Sequence, residues 1–189
     1  MFISRIVSVF LLSAAALVSA SPSPAPGAEV AIAKRGAVDV KGVCNNLKST
    51  TEAILPKIEE LIGGGIGELL IAEKLSPLIK ELTLALDTAA AASAGLPLAA
   101  AAEKEVIALL VAGVLTDISK TLDGLLFKAL FIPNIWILLA EVDASINGFL
   151  IKVDIVVVGV VELISGFVIG VEGLLKGLAF KLTCGKLGL

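Results

Sequence analysis

The stretch IVVVGVVELISGFVIGVEGLL, residues 155–175, decides the fold class of this chain. It is as apolar as a membrane-embedded segment, but Glu162 and Glu172 interrupt it. A membrane-spanning helix needs about 20 apolar residues with few or no charges. Residues 155–158 favour a strand by propensity, yet the stretch lacks a clean alternation and no partner strand with a turn signal accompanies it. We therefore predict a helix that keeps one charged edge in water.

The rest of the chain shows the same excess of apolar residues. Of its 189 residues, 57% are hydrophobic. The mean hydropathy of +1.01 is far above that of an ordinary soluble domain. After the N-terminus, the longest run without a charge lies between Asp87 and Glu103 and is mostly alanine. No transmembrane span is predicted after the N-terminus. The apolar surface must therefore be covered by the chain itself, by a partner or at an interface.

The N-terminus is typical of a secreted protein. Residues 1–20 predict a signal peptide, with an apolar core followed by a small-residue cleavage site. Residues 21–35 are rich in proline, serine and alanine and end in Lys34 and Arg35, which predicts a pro-segment cut at a dibasic site. The mature chain is then residues 36–189, predicted as a single helical domain outside the cell or at the cell wall.

The charges of residues 36–189 argue against one class of partner. The segment has 12 lysines, no arginine and 17 acidic residues, and hence a net charge of −5. Proteins neutralise nucleic-acid phosphates with lysine and arginine, so an acidic chain without arginine is not expected to bind nucleic acid. The same balance argues against electrostatic capture by anionic lipid.

Two cysteines, Cys44 and Cys184, lie near the ends of this segment. In the oxidising secretory pathway an even pair predicts a disulfide, and closing so long a loop would stabilise the fold by roughly 4–5 kcal/mol. Such a bridge would tie the first helix to the last. The alternative is two separate buried thiols.

The spacing of the apolar residues predicts an all-α chain, a compact bundle of about five to six helices. In the first helix, Val43, Leu47, Ile54 and Ile58 belong to an apolar face that repeats at intervals of three and four. The predicted helical segments are 41–62, about 66–74, a helix that starts at Ser76-Pro77 and fades into 89–94, then about 97–131, 135–146 and about 149–183.

Proline, glycine and asparagine mark the predicted ends of these helices. Pro56 should kink or split the first helix, because its ring clashes with the preceding turn. Ser76-Pro77 predicts a helix start, since serine caps free amides and proline is tolerated at the first helical position. Asn147-Gly148 predicts another break.

The last predicted segment contains two Gly-x-x-x-Gly pairs, Gly166 with Gly170 and Gly173 with Gly177. Each pair places two glycines on one helical face, where a second backbone can approach closely. Because charged residues fall within the same stretch, we predict tight packing in a bundle rather than association in lipid.

The chain is poorly equipped for catalysis. It contains no histidine, so a Ser-His-Asp or Cys-His arrangement is impossible, and no metal site or cofactor is predicted. The segment GGGIGE at 63–68 lacks the Gly-Lys-Ser/Thr ending of a phosphate loop. Carboxylates that are close in sequence, including Glu141 and Asp143, are predicted to lie on solvated helix faces. We therefore predict that the protein is not an enzyme.

The signal peptide, the dibasic site Lys34-Arg35, the apolar helical repeats and the absence of N-glycosylation sequons together resemble the layout of small secreted proteins of filamentous fungi. The nearest functional similarity is to hydrophobic-surface-binding and hyphal-surface proteins. This resemblance implies a protein that coats apolar interfaces or the outer cell wall. Hydrophobins are excluded, because their framework uses eight cysteines and this chain has two.

Three functions stay open on the sequence alone. The leading hypothesis is an extracellular interaction protein whose partners are apolar surfaces, the cell wall, lipid or a second copy of itself. The second is a carrier that encloses lipid or a small apolar ligand. The third is a membrane-active protein whose C-terminal helices, 106–131 and 149–175, insert after release from a soluble form.

Overall fold

The computed structural model of the chain describes residues 39–64, 68–126, 132 and 134–189. The chain divides into two units between Arg35 and Gly36, and every described residue belongs to the unit Gly36–Leu189. The predicted signal peptide, the pro-segment and its processing residues Lys34 and Arg35 lie outside the described residues and stay predictions.

The described residues are helical, with no strand among them, which confirms the predicted all-α class. Four helices of 22 to 26 residues come first, and three short helices follow. They are α1 (Val40–Gly63), α2 (Glu68–Ser93), α3 (Lys104–Leu126), α4 (Ile135–Val156), α5 (Val160–Val168), α6 (Glu172–Gly177) and α7 (Lys181–Leu187). Single 3₁₀ turns, Ala101–Glu103 and Ile169–Val171, precede α3 and α6.

The predicted helix split at Pro56, helix start at Ser76-Pro77 and break at Asn147-Gly148 are wrong, and a kink at Pro56 stays a prediction. Pro56 lies inside α1, Pro77 lies inside α2, and Asn147-Gly148 lies inside α4. Both prolines are on the exposed sides of their helices, where water can satisfy the carbonyl that loses its backbone partner. The buried faces continue past each of these positions, so packing against neighbouring helices outweighs the local preference.

The helices form a ring around one core. α1 packs against α2 and α3, α2 packs against α4, and α3 packs against α5. α7 closes the ring because it contacts α4, α5 and α6. Fully buried side chains come from all sides, for example Ile58, Leu82, Ile118, Leu150 and Ile164. Burying one side chain of this size stabilises by about 1.5–3 kcal/mol, so these inward faces hold the bundle together.

The predicted disulfide between Cys44 and Cys184 is wrong, since both cysteines are free and buried. Cys44 lies in α1, which packs against α2 and α3, whereas Cys184 lies in α7, which packs against α4, α5 and α6. The two thiols therefore belong to opposite members of the ring. Burial, and to a lesser extent Asp39, raises the pKa of the Cys44 thiol to about 12. Burial also raises the pKa of Cys184.

We expect both thiols to be unbridged and slow to react. Denaturation without a reductant should release two titratable thiols per chain, and a count of zero would contradict this arrangement.

In the folded protein a pKa of about 12 leaves Cys44 almost without thiolate, the nucleophilic form, at neutral pH. An unfolded thiol ionises near its ordinary pKa of 9.0, so the free energy of unfolding should fall as the pH rises from there.

The turn between α4 and α5 depends on Gly159. Its φ of +72° lies in the left-handed region, which other residues adopt at a cost of about 1–2 kcal/mol. Just before the turn, the Val156 carbonyl accepts a hydrogen bond of 2.9 Å from the Ala99 N–H. This contact fixes the end of α4 to the link between α2 and α3, and Gly159 then redirects the chain so that α5 packs on α3.

Of the four glycines predicted to mediate close helix packing, Gly177 alone has an atom of another helix near the position of a Cβ, and that atom belongs to a side chain. A Cβ built on Gly177 would lie 3.7 Å from Leu126 Cδ1, in agreement with the packing of α6 on α3. Gly166, Gly170 and Gly173 are exposed, and a Cβ on any of them would meet no atom within 4 Å. The short helices and the 3₁₀ turn between them direct these three glycines outward, so no second backbone approaches them.

Substitution by alanine should separate these two kinds of glycine. Gly159→Ala should lower the free energy of unfolding by about 1–2 kcal/mol, because alanine is forced into the left-handed region. Gly166→Ala, within α5, is the matched control and should raise it by roughly 0.5–1 kcal/mol, since alanine is the better helix former. Urea unfolding followed by circular dichroism measures both. Equal effects at the two positions would contradict the role of Gly159.

Candidate interaction surface

A buried carboxylate fixes the last helix to the bundle. Asp143 in α4 is 5% exposed. Its two carboxylate oxygens accept hydrogen bonds from the backbone N–H groups of Leu182 and Thr183, each at 2.9 Å. These amides belong to the first turn of α7, and Phe180 at the N-cap position supplies no side-chain cap. The prediction that Asp143 lies on a solvated face is therefore wrong, whereas Glu141 is exposed.

A second contact ties α7 to α4. Lys186 Nζ lies 2.8 Å from Asp154 Oδ2, and the two side chains are 27% and 28% exposed. Asp143 and Asp154 are three helical turns apart on the same side of α4, so they hold both ends of α7. With α2 and α7 packed against it, α4 has one remaining face, which points outward.

Removing the charge of Asp143 should loosen α7. Asp143→Asn keeps the shape of the side chain but sets an N–H₂ donor against a backbone donor, so the free energy of unfolding should fall by about 1–3 kcal/mol. Asp117→Asn, at an exposed position inside α3, is the matched control and should change it by less than about 0.5 kcal/mol. Chemical denaturation measures the stabilities, and hydrogen exchange should accelerate in α7. Equal effects of the two substitutions would show that the carboxylate does not cap α7.

The outward face of α4 is apolar along its whole length. Five residues lie within about 80° around the helix axis, at 3.6 residues per turn, and form what we name the α4 stripe. The α4 stripe consists of Ile137, Ala140, Ala144, Ile151 and Ile155. Its isoleucines are 59%, 40% and 61% exposed, and both alanines are exposed as well. The exposed charged side chains of α4, Glu141 and Lys152, both follow one edge of the stripe.

The outward face of α1 provides the contrast. Its exposed charged residues are Lys41, Glu52, Lys57, Glu59 and Glu60. Water hydrates the charged side chains of such a face favourably, whereas the apolar side chains of the α4 stripe gain no such hydration. The spacing of apolar residues did not predict the stripe. Because α4 carries apolar residues on every side, their spacing does not distinguish the buried face of the helix from the exposed face. The charges gave no signal either, because Glu141, Asp143, Lys152 and Asp154 all lie between residues 137 and 155.

A second exposed apolar surface lies on α5 and the 3₁₀ turn that follows it. We name it the α5 patch: Leu163, Phe167 and Ile169, which are 36%, 43% and 65% exposed. Gly166 and Gly170 lie beside these side chains and leave them unobstructed. The opposite face of α5 is buried on α3, so the patch is the solvent side of a firmly packed helix.

An open groove of about 350 Å³ runs between α1 and α2. Val43, Leu47 and Ala89 line its buried side, and Leu84, which is 66% exposed, stands at its margin. Glu81 is among its polar neighbours. The volume is at the lower end of the range for small-molecule sites, and the lining is mostly apolar.

The remaining motifs have structural positions. Glu59 accepts a hydrogen bond of 2.8 Å from Thr121 Oγ1, which links α1 to α3. The segment GGGIGE lies at the link between α1 and α2, and its residues 65–67 are outside the described part of the chain. Among the residues that the structure describes, no three potential metal ligands come together. Nor is any helix in those ranges long and apolar enough to cross a bilayer.

Comparison with known proteins adds no identity to these surfaces. No protein-family model matches the chain, and no curated protein matches it. The geometry and chemistry of the α4 stripe, the α5 patch and the groove are therefore the basis for inferring the function.

Proposed function

We propose that this protein is a secreted, non-enzymatic interaction protein of the cell surface or cell wall, which binds apolar surfaces or associates with itself. The observation that carries the proposal is the exposure of large apolar side chains on the α5 patch and the α4 stripe. Contiguous exposed apolar surface of this kind marks sites of interaction on soluble proteins. The bundle buries its inward faces, and these two surfaces contain several of the large apolar side chains that stay exposed.

The α5 patch suits adsorption to an apolar surface. Leu163 and Phe167 are one helical turn apart on α5, and the exposed Ile169 follows on the 3₁₀ turn. The flanking glycines offer no side chain that would hold a surface away. Adsorption of this kind needs apolar contact area and no specific polar partner, which fits the absence of charge within the patch.

The proposed location depends on the N-terminus, and the proposed lack of catalysis on composition. A signal peptide and the dibasic site Lys34-Arg35 support secretion. The layout resembles that of fungal surface proteins, which supports the cell wall as the destination. The lack of histidine supports a non-enzymatic role, as does the use of Asp143 and Glu59 in contacts between helices.

Substituting the α5 patch should weaken adsorption without unfolding the protein. In the double variant Leu163→Gln with Phe167→Gln, we expect the partition constant at an air–water or oil–water interface to fall on the order of tenfold, because two exposed apolar side chains are lost. Leu84→Gln removes an exposed leucine from α2 and is the matched control, expected to adsorb as the wild type does. Surface-pressure measurements give the partition constants, and circular dichroism confirms the fold.

Failure of the wild-type protein to adsorb at either interface, together with a monomeric state at all concentrations, would overturn the proposed function. An equal fall of the partition constant in the double variant and in Leu84→Gln would show that the adsorbing surface is not the α5 patch.

The groove between α1 and α2 favours a second candidate function, the transport of lipid or a small apolar ligand. Its apolar lining would bury a narrow hydrocarbon chain, and its open side would leave a polar group in water. Native mass spectrometry distinguishes the two functions, because a carrier leaves its host with ligand bound and an adsorbing protein does not.

A further inference from the structure

We infer that the α4 stripe is a self-association surface, on which α4 of a second copy of this chain packs antiparallel to form a two-fold symmetric dimer. This inference rests on the proposed function and names the partner and the surface for its self-associating form. The stripe is the outward face of a helix of 22 residues, and it runs for about 27 Å from Ile137 to Ile155.

The α4 stripe can pair with a reversed second copy of itself. An antiparallel pairing centred at position 146 brings Ile137 opposite the second copy's Ile155, since each lies nine residues from the centre. The same pairing sets Ile151 beside the second copy's Ala140, a large side chain against a small one. Interdigitation of large and small residues is what close packing of two helices requires.

The middle of the stripe permits close approach. Ala144 and Gly148 lie two residues on either side of the centre, and a Cβ built on Gly148 would meet no atom within 4 Å. In the antiparallel pairing Ala144 meets the second copy's Gly148, so the two helix axes can come near the lower limit of about 8 Å. The small residues thus allow a close helix–helix contact in the middle, and the isoleucines cover the two ends of that contact.

The two exposed charges of α4 favour antiparallel pairing with a second copy over pairing with a different partner. Glu141 and Lys152 lie on the same edge of the stripe, about 20° apart around the helix and about 16 Å apart along it. Neither side chain makes a hydrogen bond or an ion pair within the described part of the chain. In the antiparallel pairing each Glu141 faces the second copy's Lys152, so the dimer forms this ion pair twice. A two-fold interface must be self-complementary in this way, and a parallel pairing would place the two charged edges on opposite sides of the contact, where they form no ion pair.

Charge reversal tests the inference on the protein purified from a host that expresses the full chain. Glu141→Lys alone gives a homodimer with lysine facing lysine, and Lys152→Glu alone gives one with glutamate facing glutamate. Each should raise the dimer dissociation constant by about tenfold or more. An equimolar mixture of these two variants should form a heterodimer more tightly than either forms a homodimer, and the double variant should recover wild-type affinity. Analytical ultracentrifugation over a concentration series measures all four.

Two further variants separate this inference from the proposed function. Ala144→Glu places a charge at the closest approach of the helices on a side chain that is exposed in the monomer, so the dimer should be lost while the fold and adsorption persist. The double variant Leu163→Gln with Phe167→Gln should adsorb less and still dimerise. A wild-type protein that adsorbs but stays monomeric would overturn the inference and leave the proposed function standing. A dimer whose charge-reversed variants fail to pair with each other would also overturn it.

Discussion

The burial of apolar side chains is the constraint from which the rest of this structure follows. The helices carry more such side chains than their inward faces can take, and charges recur often enough that no described helix can cross a bilayer. A ring of helices around one core resolves part of this conflict, because each helix then buries one full face. Part of the apolar surface that it does not bury lies on α4 and α5, and further large side chains, such as Leu98 and Val158, are exposed elsewhere. The exposed surfaces are thus a consequence of the same composition that builds the core.

Polar contacts decide how the ring closes. α7 has seven residues and could not persist as an isolated helix, since helices shorter than about 12–15 residues are marginal in water. The carboxylate of Asp143 supplies the acceptors for its first amides, and the ion pair between Lys186 and Asp154 holds its other end. A buried, unpaired carboxylate would be strongly destabilising, so the position of α7 and the burial of Asp143 depend on each other. Together they determine which face of α4 is left to the solvent.

The helical class was predictable because it depends on local periodicity and on the lack of alternation, both of which are properties of short segments. The helix ends were less predictable. Pro56, Pro77 and Asn147-Gly148 are strong local break signals, yet each lies within a continuous helix whose buried face is packed on both sides of it. The pairing of Cys44 with Cys184 followed from parity and compartment, and neither contains information about which helices are neighbours. For Asp143, a carboxylate two residues from an exposed glutamate, spacing alone could not reveal burial.

The sequence by itself determined the apolar excess and the lack of histidine, and it predicted the all-α class that the structure confirms. These are local or compositional properties and need no knowledge of which segments meet. Only the tertiary structure decided that the cysteines stay apart, that Asp143 caps α7, that all four predicted packing glycines are exposed, and that the α4 stripe lies in solvent. α4 is apolar all round, so its inward face is selected by what packs against it, and that choice is made by contacts between residues far apart in the chain.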